Sequence, residues 1–427
     1  MTDSAGIPGG TDAAGGEQPP NGRKRRRLLR WIGAGTGLLA VVGAGTGWWI
    51  YDKLDGNIAE DTSAAAELRR YDKERPVHLA GGAQNILLIG SDSRTGADNA
   101  RYGQDKGTQR SDTTILLHLP ADRKSATAVS IPRDLMAEIP ACLKPDGSRT
   151  SEQFAQFNWA FEWGGTACTI RTVEAMTGIR VDHHMVLDFS GFKKMVDAIG
   201  GVEVCLRRPV DDTEAELKLP AGRQTLQGEQ ALGFVRARHS LGNGSDTERM
   251  ERQQAFLGSL VKKVQSNGVL LNPGRLYPLL DAATSSVTTD PGLASLRGLY
   301  ELVRGVRDIP TDQIKFLTVP RRPYAANLNR DELRQPDASQ LFQRLRADEP
   351  LAIAPPEATG TPAPATRPEG DREEAAADDK TDRTQDGAEE GTADGTRAGT
   401  GGRPGTAEPS APVPTFTGTT AGVADCR

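Results

Sequence analysis

Four arginines gather about one glycine- and serine-rich turn in the stretch LGFVRARHSLGNGSDTERMERQQ. Arg236 and Arg238 precede the turn, Arg249 and Arg252 follow it, and Asp246, Gln253 and Gln254 lie on its far side. A guanidinium is planar and permanently charged, and its parallel N–H donors match two phosphate oxygens, so several converging on one turn make a site for a phosphate-bearing ligand. A helix from Asp246 to Gln265 puts Arg249 and Gln253 four residues apart on one face. Its apolar stripe runs through Met250, Leu257, Leu260, Val261 and Val264. Gln253 and Gln254 fall where that stripe should continue, which favours a site over a solvated charged face.

Further polar groups stand at the ends of apolar runs. Gly90-Ser91-Asp92-Ser93-Arg94 follows the run Asn85–Ile89, Arg110-Ser111-Asp112 leads into Thr113–Leu119, and Arg133 follows Ala126–Ile131. Asp beside Ser in a turn is often only a structural cap. Two such carboxylates beside an arginine on one sheet are also suited to a hard cation, because magnesium takes oxygen ligands from one or two carboxylates, water and substrate phosphate. Ligands in open α/β sheets gather at the carboxyl ends of strands, so three successive strands are expected to deliver Asp92, Asp112 and Arg133 to one crevice. Magnesium carboxylates on one side and an arginine clamp on the other are equipment for phosphoryl transfer, which needs positioning and charge stabilisation rather than a protein nucleophile.

The elements that must position these groups alternate. Helices are expected at 151–163, 166–177 and Phe189–Ala198, and strands at 181–187 and Val202–Leu206. Further helices are expected at 228–238, 246–265, 273–283, 293–307 and 338–347, with a late strand at 314–319. Such alternation predicts an α/β fold, a central β-sheet sandwiched by α-helices. No GxxxxGK[ST] loop or GxSxG elbow is present. His183 and His184 are adjacent in an expected strand and so face opposite ways, which argues against joint metal ligation.

Outside 84–347 the composition changes. Residues 1–30 are polar and end in the basic run Arg23–Arg27. Residues 31–51, WIGAGTGLLAVVGAGTGWWIY, carry no charge and have aromatic residues at both ends, residues 52–83 are a polar stalk, and residues 348–427 are Pro, Ala, Gly, Thr and acidic residues with the single aromatic Phe416. The uncharged stretch reads as one transmembrane helix, an uncleaved signal-anchor. The arginines before it keep the N-terminus cytoplasmic and leave the rest outside. The tail is expected to stay disordered, for want of apolar surface to bury. Over the 427 residues the net charge is −5 and the pI about 5.7, which argues against a nucleic-acid partner. Four cysteines without a CxxC pair suit an oxidising exterior. Of the three possible connectivities, Cys142 with Cys168 and Cys205 with Cys426 is the expected one.

The blocks NILLIGSDSR, RSDTTILLHL, VSIPRDL, VDHHMVLDFSGFKKMVDAIGGVEV and FVRARH...DTERMERQQ, in this order behind an N-terminal anchor, resemble the LytR-CpsA-Psr family of cell-wall enzymes. The resemblance implies a mixed central sheet. It implies transfer of an anionic glycopolymer from a polyprenyl diphosphate carrier at the cytoplasmic membrane to peptidoglycan, with Mg2+ as cofactor and pyrophosphatase as a possible side activity. It also implies that Asp92 and Asp112 hold the metal, that Arg110, Arg133, Arg236, Arg238, Arg249 and Gln253 bind the diphosphate, and that Phe189, Phe192, Met195 and Val196 admit the lipid tail. Asp92, Asp112, Arg133 and Arg238 would carry the catalysis. A phosphatase acting on the same lipid, or a non-catalytic membrane-anchored regulator or binding protein, would use the same pocket differently.

Overall fold

A computed structural model describes residues 22–78, 81–92, 111–237, 246–266, 273–355 and 414–422. In chain order the elements are α1 (Gly22–Gly56), β1 (Ala59–Glu60), α2 (Thr62–Arg70), β2 (Gln84–Ser91), β3 (Ser111–Leu119), β4 (Ala126–Ile131), β5 (Met136–Ile139), β6 (Gln153–Gln156), α3 (Asn158–Thr177), β7 (His183–Leu187), α4 (Phe189–Ala198), β8 (Val202–Leu206), β9 (Val210–Asp212), β10 (Leu217–Leu219) and β11 (Gly222–Leu226). There follow α5 (Gly228–Arg236), α6 (Asp246–Gln265), α7 (Pro273–Thr284), β12 (Val287–Thr289), α8 (Leu296–Arg307), β13 (Ile314–Thr318), β14 (Arg321–Tyr324), β15 (Asn327–Leu333), α9 (Asp337–Arg346), β16 (Ala352–Ala354) and β17 (Thr415–Thr420).

Nine strands form the central sheet in the order β1-β12-β7-β2-β3-β4-β13-β17-β16. It is mixed: β2 runs parallel to β7 and β4 to β13, while β3 is antiparallel to both β2 and β4. Alternation along the strands divides the core. Leu87, Ile89, Leu116 and Val129 face α2, α3 and α9, where they meet Phe157, Val173 and Phe342. Ile86, Ile115, Ala128 and Phe316 face the other way, against Leu257 and Val261 of α6 and Leu302 and Val306 of α8. A third cluster joins α4, α5 and α6 to the outlying hairpins, through Val196, Leu226, Phe234 and Phe256.

Two expectations are corrected. Residues 153–156 are not helical; they pair with β5 as an antiparallel hairpin, Ala155 opposite Ala137. The helix begins only at Asn158 and breaks at Gly164 and Gly165. A Cβ at Gly164 would stand 2.8 Å from that of Cys168 and 2.9 Å from that of Cys142, so the disulfide sits tightly over the break. The tail is not wholly without structure either: its end forms β17, inserted between β13 and β16, with Phe416 buried in the core beside Leu351. The TFTGTT segment alternates β-branched residues around that one aromatic, a local strand signal that the surrounding composition hides. The helix expected over 31–51 forms within α1; no helix among the described residues is long and apolar enough to cross a membrane. Six glycines between Gly33 and Gly47 contribute no apolar side chain.

Cys142 and Cys168 are disulfide-bonded, with Cα atoms 5.5 Å apart. Cys205 is disulfide-bonded as well, and Cys426 lies outside the described residues. His183 and His184 face opposite ways, His183 towards Asp290 at 3.0 Å and His184 towards Asp61 at 3.6 Å.

Asp290 sits at the turn that launches α8. Its carboxylate accepts from the backbone N–H of His184 at 3.0 Å and of Gly292 at 2.9 Å, besides facing His183. Burial alone would raise the Asp290 pKa, but hydrogen bonds from His183 and the His184 backbone hold it below the ordinary value. The hydrogen bond to Asp290 raises the pKa of His183 against the effect of burial. A lowered carboxylate pKa gives stability that is present above the ordinary value of about 4 and is lost as pH falls through the folded one, whereas a raised histidine pKa gives stability lost as pH rises through its folded value. Asp290→Asn is therefore expected to cost about 2 kcal/mol near pH 6 and less at either extreme, measured by urea unfolding across pH.

Candidate functional site

The antiparallel placement of β3 decides which groups meet. Ser91 at the end of β2 pairs with Ser111 at the start of β3, and Thr114 pairs with Ile131 at the end of β4. Asp92, Asp112 and Arg133 therefore stand at one edge of the sheet. The crevice is built from two carboxyl ends and one amino end, not the three carboxyl ends expected. Between Gly90 and Ser91 the register slips, leaving Asp112 as the extra residue on β3, as a bulge re-aims a side chain at a sheet edge. Arg133 donates from Nη1 to Asp112 at 3.1 Å and from Nε to Asp134 at 3.2 Å. Asp134 also accepts from Arg330 at 3.2 Å, so the arginine is held at both ends.

A cavity of about 1310 Å3 opens at this edge and runs between the sheet and helices α4 to α8. Ser91, Asp112, Arg236, Arg249 and Gln253 line its polar end. Behind them the walls are apolar: Phe189, Phe192 and Met195 from α4, Leu257 from α6, Leu280 and Ala283 from α7. The guanidinium of Arg236, at the end of α5, stacks over the Phe189 ring at 4.8 Å, a cation–π contact that fixes it at the junction of the two parts. Arg249 is buried on α6, and Gln253 donates to the carbonyl of Val235 at 3.1 Å, tying α6 to α5 beside Arg236.

Of the residues expected in the site, Asp112, Arg236, Arg249 and Gln253 come together with Phe189, Phe192 and Met195. Arg133 reaches the group through Asp112. Val196 does not line the cavity: it is fully buried with Ile199 and Val202 in the third core cluster, against which Phe192 also packs. Arg110 and Arg238 lie outside the described residues, as does the turn at 238–245. Gln254 is structural, donating to Ser130 on β4 at 3.2 Å and Thr318 on β13 at 3.0 Å, and so fastens α6 to the sheet. Arg252 donates to the carbonyl of Ala237, closing the end of α5. Asp188, not singled out in the sequence, lines the cavity and caps α4 by accepting from Gly191 at 2.7 Å. Its place directly before a helix is the signal that could have found it.

Among the described residues no three His, Cys, Asp or Glu side chains cluster as metal ligands. Asp112 at the mouth and Asp92, one residue past the end of β2, are carboxylates that could hold a magnesium ion completing its shell with water and substrate phosphate, and do not suit a metal needing an all-protein cage.

A mixed sheet covered by helices, with a large cavity that is cationic at its mouth and apolar along its length, has the shape and charge to suit an amphiphile with an anionic head. The LytR_cpsA_psr family model matches residues 56–347, and the chain belongs to that family. It is 33% identical over 318 residues to the cell wall biosynthesis protein LcpA of Corynebacterium glutamicum, covering 69% of this chain and 60% of that protein. It is 25% identical over 336 residues to the polyisoprenyl-teichoic acid–peptidoglycan teichoic acid transferase TagT of Bacillus subtilis, covering 75% of this chain and 96% of the relative. The chain thus spans about 60% of the length of LcpA. In fold it is similar to the LytR-Csp2A-Psr enzyme from Actinomyces oris, with TM-score 0.50 and 21% identity over 64% of this chain and 93% of that one.

Proposed function

We propose that the protein is a membrane-attached, extracytoplasmic transferase in cell-wall assembly, moving an anionic glycopolymer from a polyprenyl diphosphate carrier to peptidoglycan. The cavity carries this reading: its apolar length matches an isoprenoid tail, and Asp112, Arg236, Arg249 and Gln253 stand where a diphosphate head would rest. Family membership and the wall-related names of the relatives support the polymer and the acceptor. Attachment is supported by α1, whose residues 31–49 are all exposed and uncharged, with Trp31 at one end and Trp48 and Trp49 at the other.

In the proposed reaction a peptidoglycan sugar hydroxyl attacks the phosphorus that bears the glycopolymer. The new oxygen–phosphorus bond forms as the bond to the bridging oxygen breaks, polyprenyl phosphate leaves, and Asp92 or a neighbouring carboxylate accepts the hydroxyl proton. Arg236 and Arg249 neutralise charge spreading over the phosphoryl oxygens, held in place beforehand by Phe189 and the helix packing. Arg133, with Arg110 and Arg238, would bind the second phosphate. Magnesium, held by Asp92 and Asp112, would add charge stabilisation at the diphosphate.

Water in place of the sugar hydroxyl would make the same site a phosphatase. Incubating the full chain in vesicles with a lipid-linked polymer and peptidoglycan separates the two. The expected product is polymer covalently joined to peptidoglycan; release of free polymer phosphate alone would refute transfer.

A further inference from the structure

The cavity has a second end. Away from Asp112 its lining passes to Tyr51 of α1 and to Tyr300, Val303 and Arg304 of α8. On α8, Leu302 and Val306 turn inward to the core, whereas Arg297, Tyr300, Arg304 and Arg307, spaced by three and four residues, share the outer face. Tyr300 is 61% and Val303 51% exposed, large apolar groups left in solvent among arginines. Arg297 and Arg304 are exposed and form no ion pair among the described residues, while Arg307 lies 3.9 Å from Asp308. Glu301 is the other acid on the helix. An amphipathic helix with exposed aliphatic and aromatic residues interleaved with arginine is the composition that settles at a lipid headgroup surface.

The position of α8 relative to α1 names the occupant. The end of α1 is tied to α7 and α8: Lys53 donates to the Tyr277 hydroxyl at 3.0 Å, Asn57 donates to Asp281 at 3.1 Å, and the Leu296 N–H donates to Asp55 at 2.8 Å. The uncharged stretch of α1 ends at Tyr51, less than one turn before Lys53. The outer face of α8 therefore starts where the uncharged stretch stops.

We propose that α8 docks on the anionic phospholipid surface of the membrane and frames, with Tyr51, the opening through which the apolar tail of the substrate passes from bilayer to cavity. This rests on the reading of residues 31–51 as the anchor. Tyr300 and Val303 enter the headgroup layer, Arg297 and Arg304 pair with lipid phosphates, and the tail reaches the cavity without crossing water.

The test uses the full chain in phosphatidylglycerol-containing vesicles, with an environment-sensitive nitrobenzoxadiazole label on Tyr300→Cys or, as a control, on Leu328→Cys, which is 77% exposed on β15. Flotation with the vesicles reads anchoring, and quenching of the label by spin-labelled lipid reads docking. The expected result is a floating protein quenched several-fold more at 300 than at 328. R297A with R304A should lower the docked-to-undocked ratio about 30-fold, at about 1 kcal/mol per basic residue near an anionic surface. A chain that floats yet is quenched no more at 300 than at 328 overturns the docking and leaves the anchor reading intact. A chain that stays in the aqueous fraction overturns the anchor, and the docking with it.

Discussion

Asp112→Ala is expected to lower kcat/KM for glycopolymer transfer about 10³-fold while leaving the fold almost as stable as before. The rate effect follows from position. Asp112 lies at the cavity mouth, holds Arg133 at 3.1 Å, and is one of two carboxylates that would share magnesium. Removing a single preorganised charge-stabilising group costs about 10²–10³ in rate, and Asp112 would serve in two such ways. The stability effect is small because both partners are partly solvated, and pairs of that kind contribute about 1 kcal/mol or less. Comparing Asp112→Ala, Arg133→Ala and the double variant separates the two roles. If Asp112 acts only by aiming Arg133, the double variant is no slower than the single ones; if it also acts on the metal and phosphate, the losses accumulate. Full transfer activity in Asp112→Ala, with an unchanged urea midpoint, would remove this residue from the proposed machinery.

What the sequence revealed, and what it hid, divides along the range of the interactions. The boundaries of α4, α6 and β8 were readable because each is written in a local period: an apolar stripe for the helices, and for the strand a short alternating run that opens after Gly200-Gly201. Strand pairing is not local. Nothing between Ser111 and Leu119 says that this strand runs against both its neighbours, and so the crevice was expected from three carboxyl ends where the sheet supplies two and one amino end. The strand at 153–156 falls in a segment expected to be helical; in the structure Phe157 fills the core beside Leu135 and Phe154 stays outside. Within the arginine cluster, residue type indicated phosphate chemistry but could not assign individual roles. Arg236 and Arg249 turn to the cavity, Arg252 closes α5, and of the two adjacent amides Gln253 lines the site while Gln254 bolts its helix to the sheet. A polar residue in an apolar stripe is equally the mark of a site and of a buried hydrogen bond, and only the partners across the interface distinguish them.

Ala283→Trp should separate lipid recognition from chemistry. Ala283 lies on α7 among the apolar residues that line the cavity. An indole there projects into space that the proposed tail would fill, without touching the groups that meet the diphosphate. Each isoprene unit displaced forfeits the burial of five carbons, about 4 kcal/mol at roughly 0.8 kcal/mol per carbon, so kcat/KM for a long-chain carrier should fall about 10³-fold. A carrier with a two-isoprene tail never reaches α7 and should be turned over at an unchanged rate. Overpacking a filled core costs about 1–3 kcal/mol, but α7 borders open space here, so thermal melting should move little. Equal losses on long and short carriers would mean that the substitution disturbs the mouth instead. No loss on either would mean that the tail does not run between the sheet and α7, and the apolar cavity would then need another ligand.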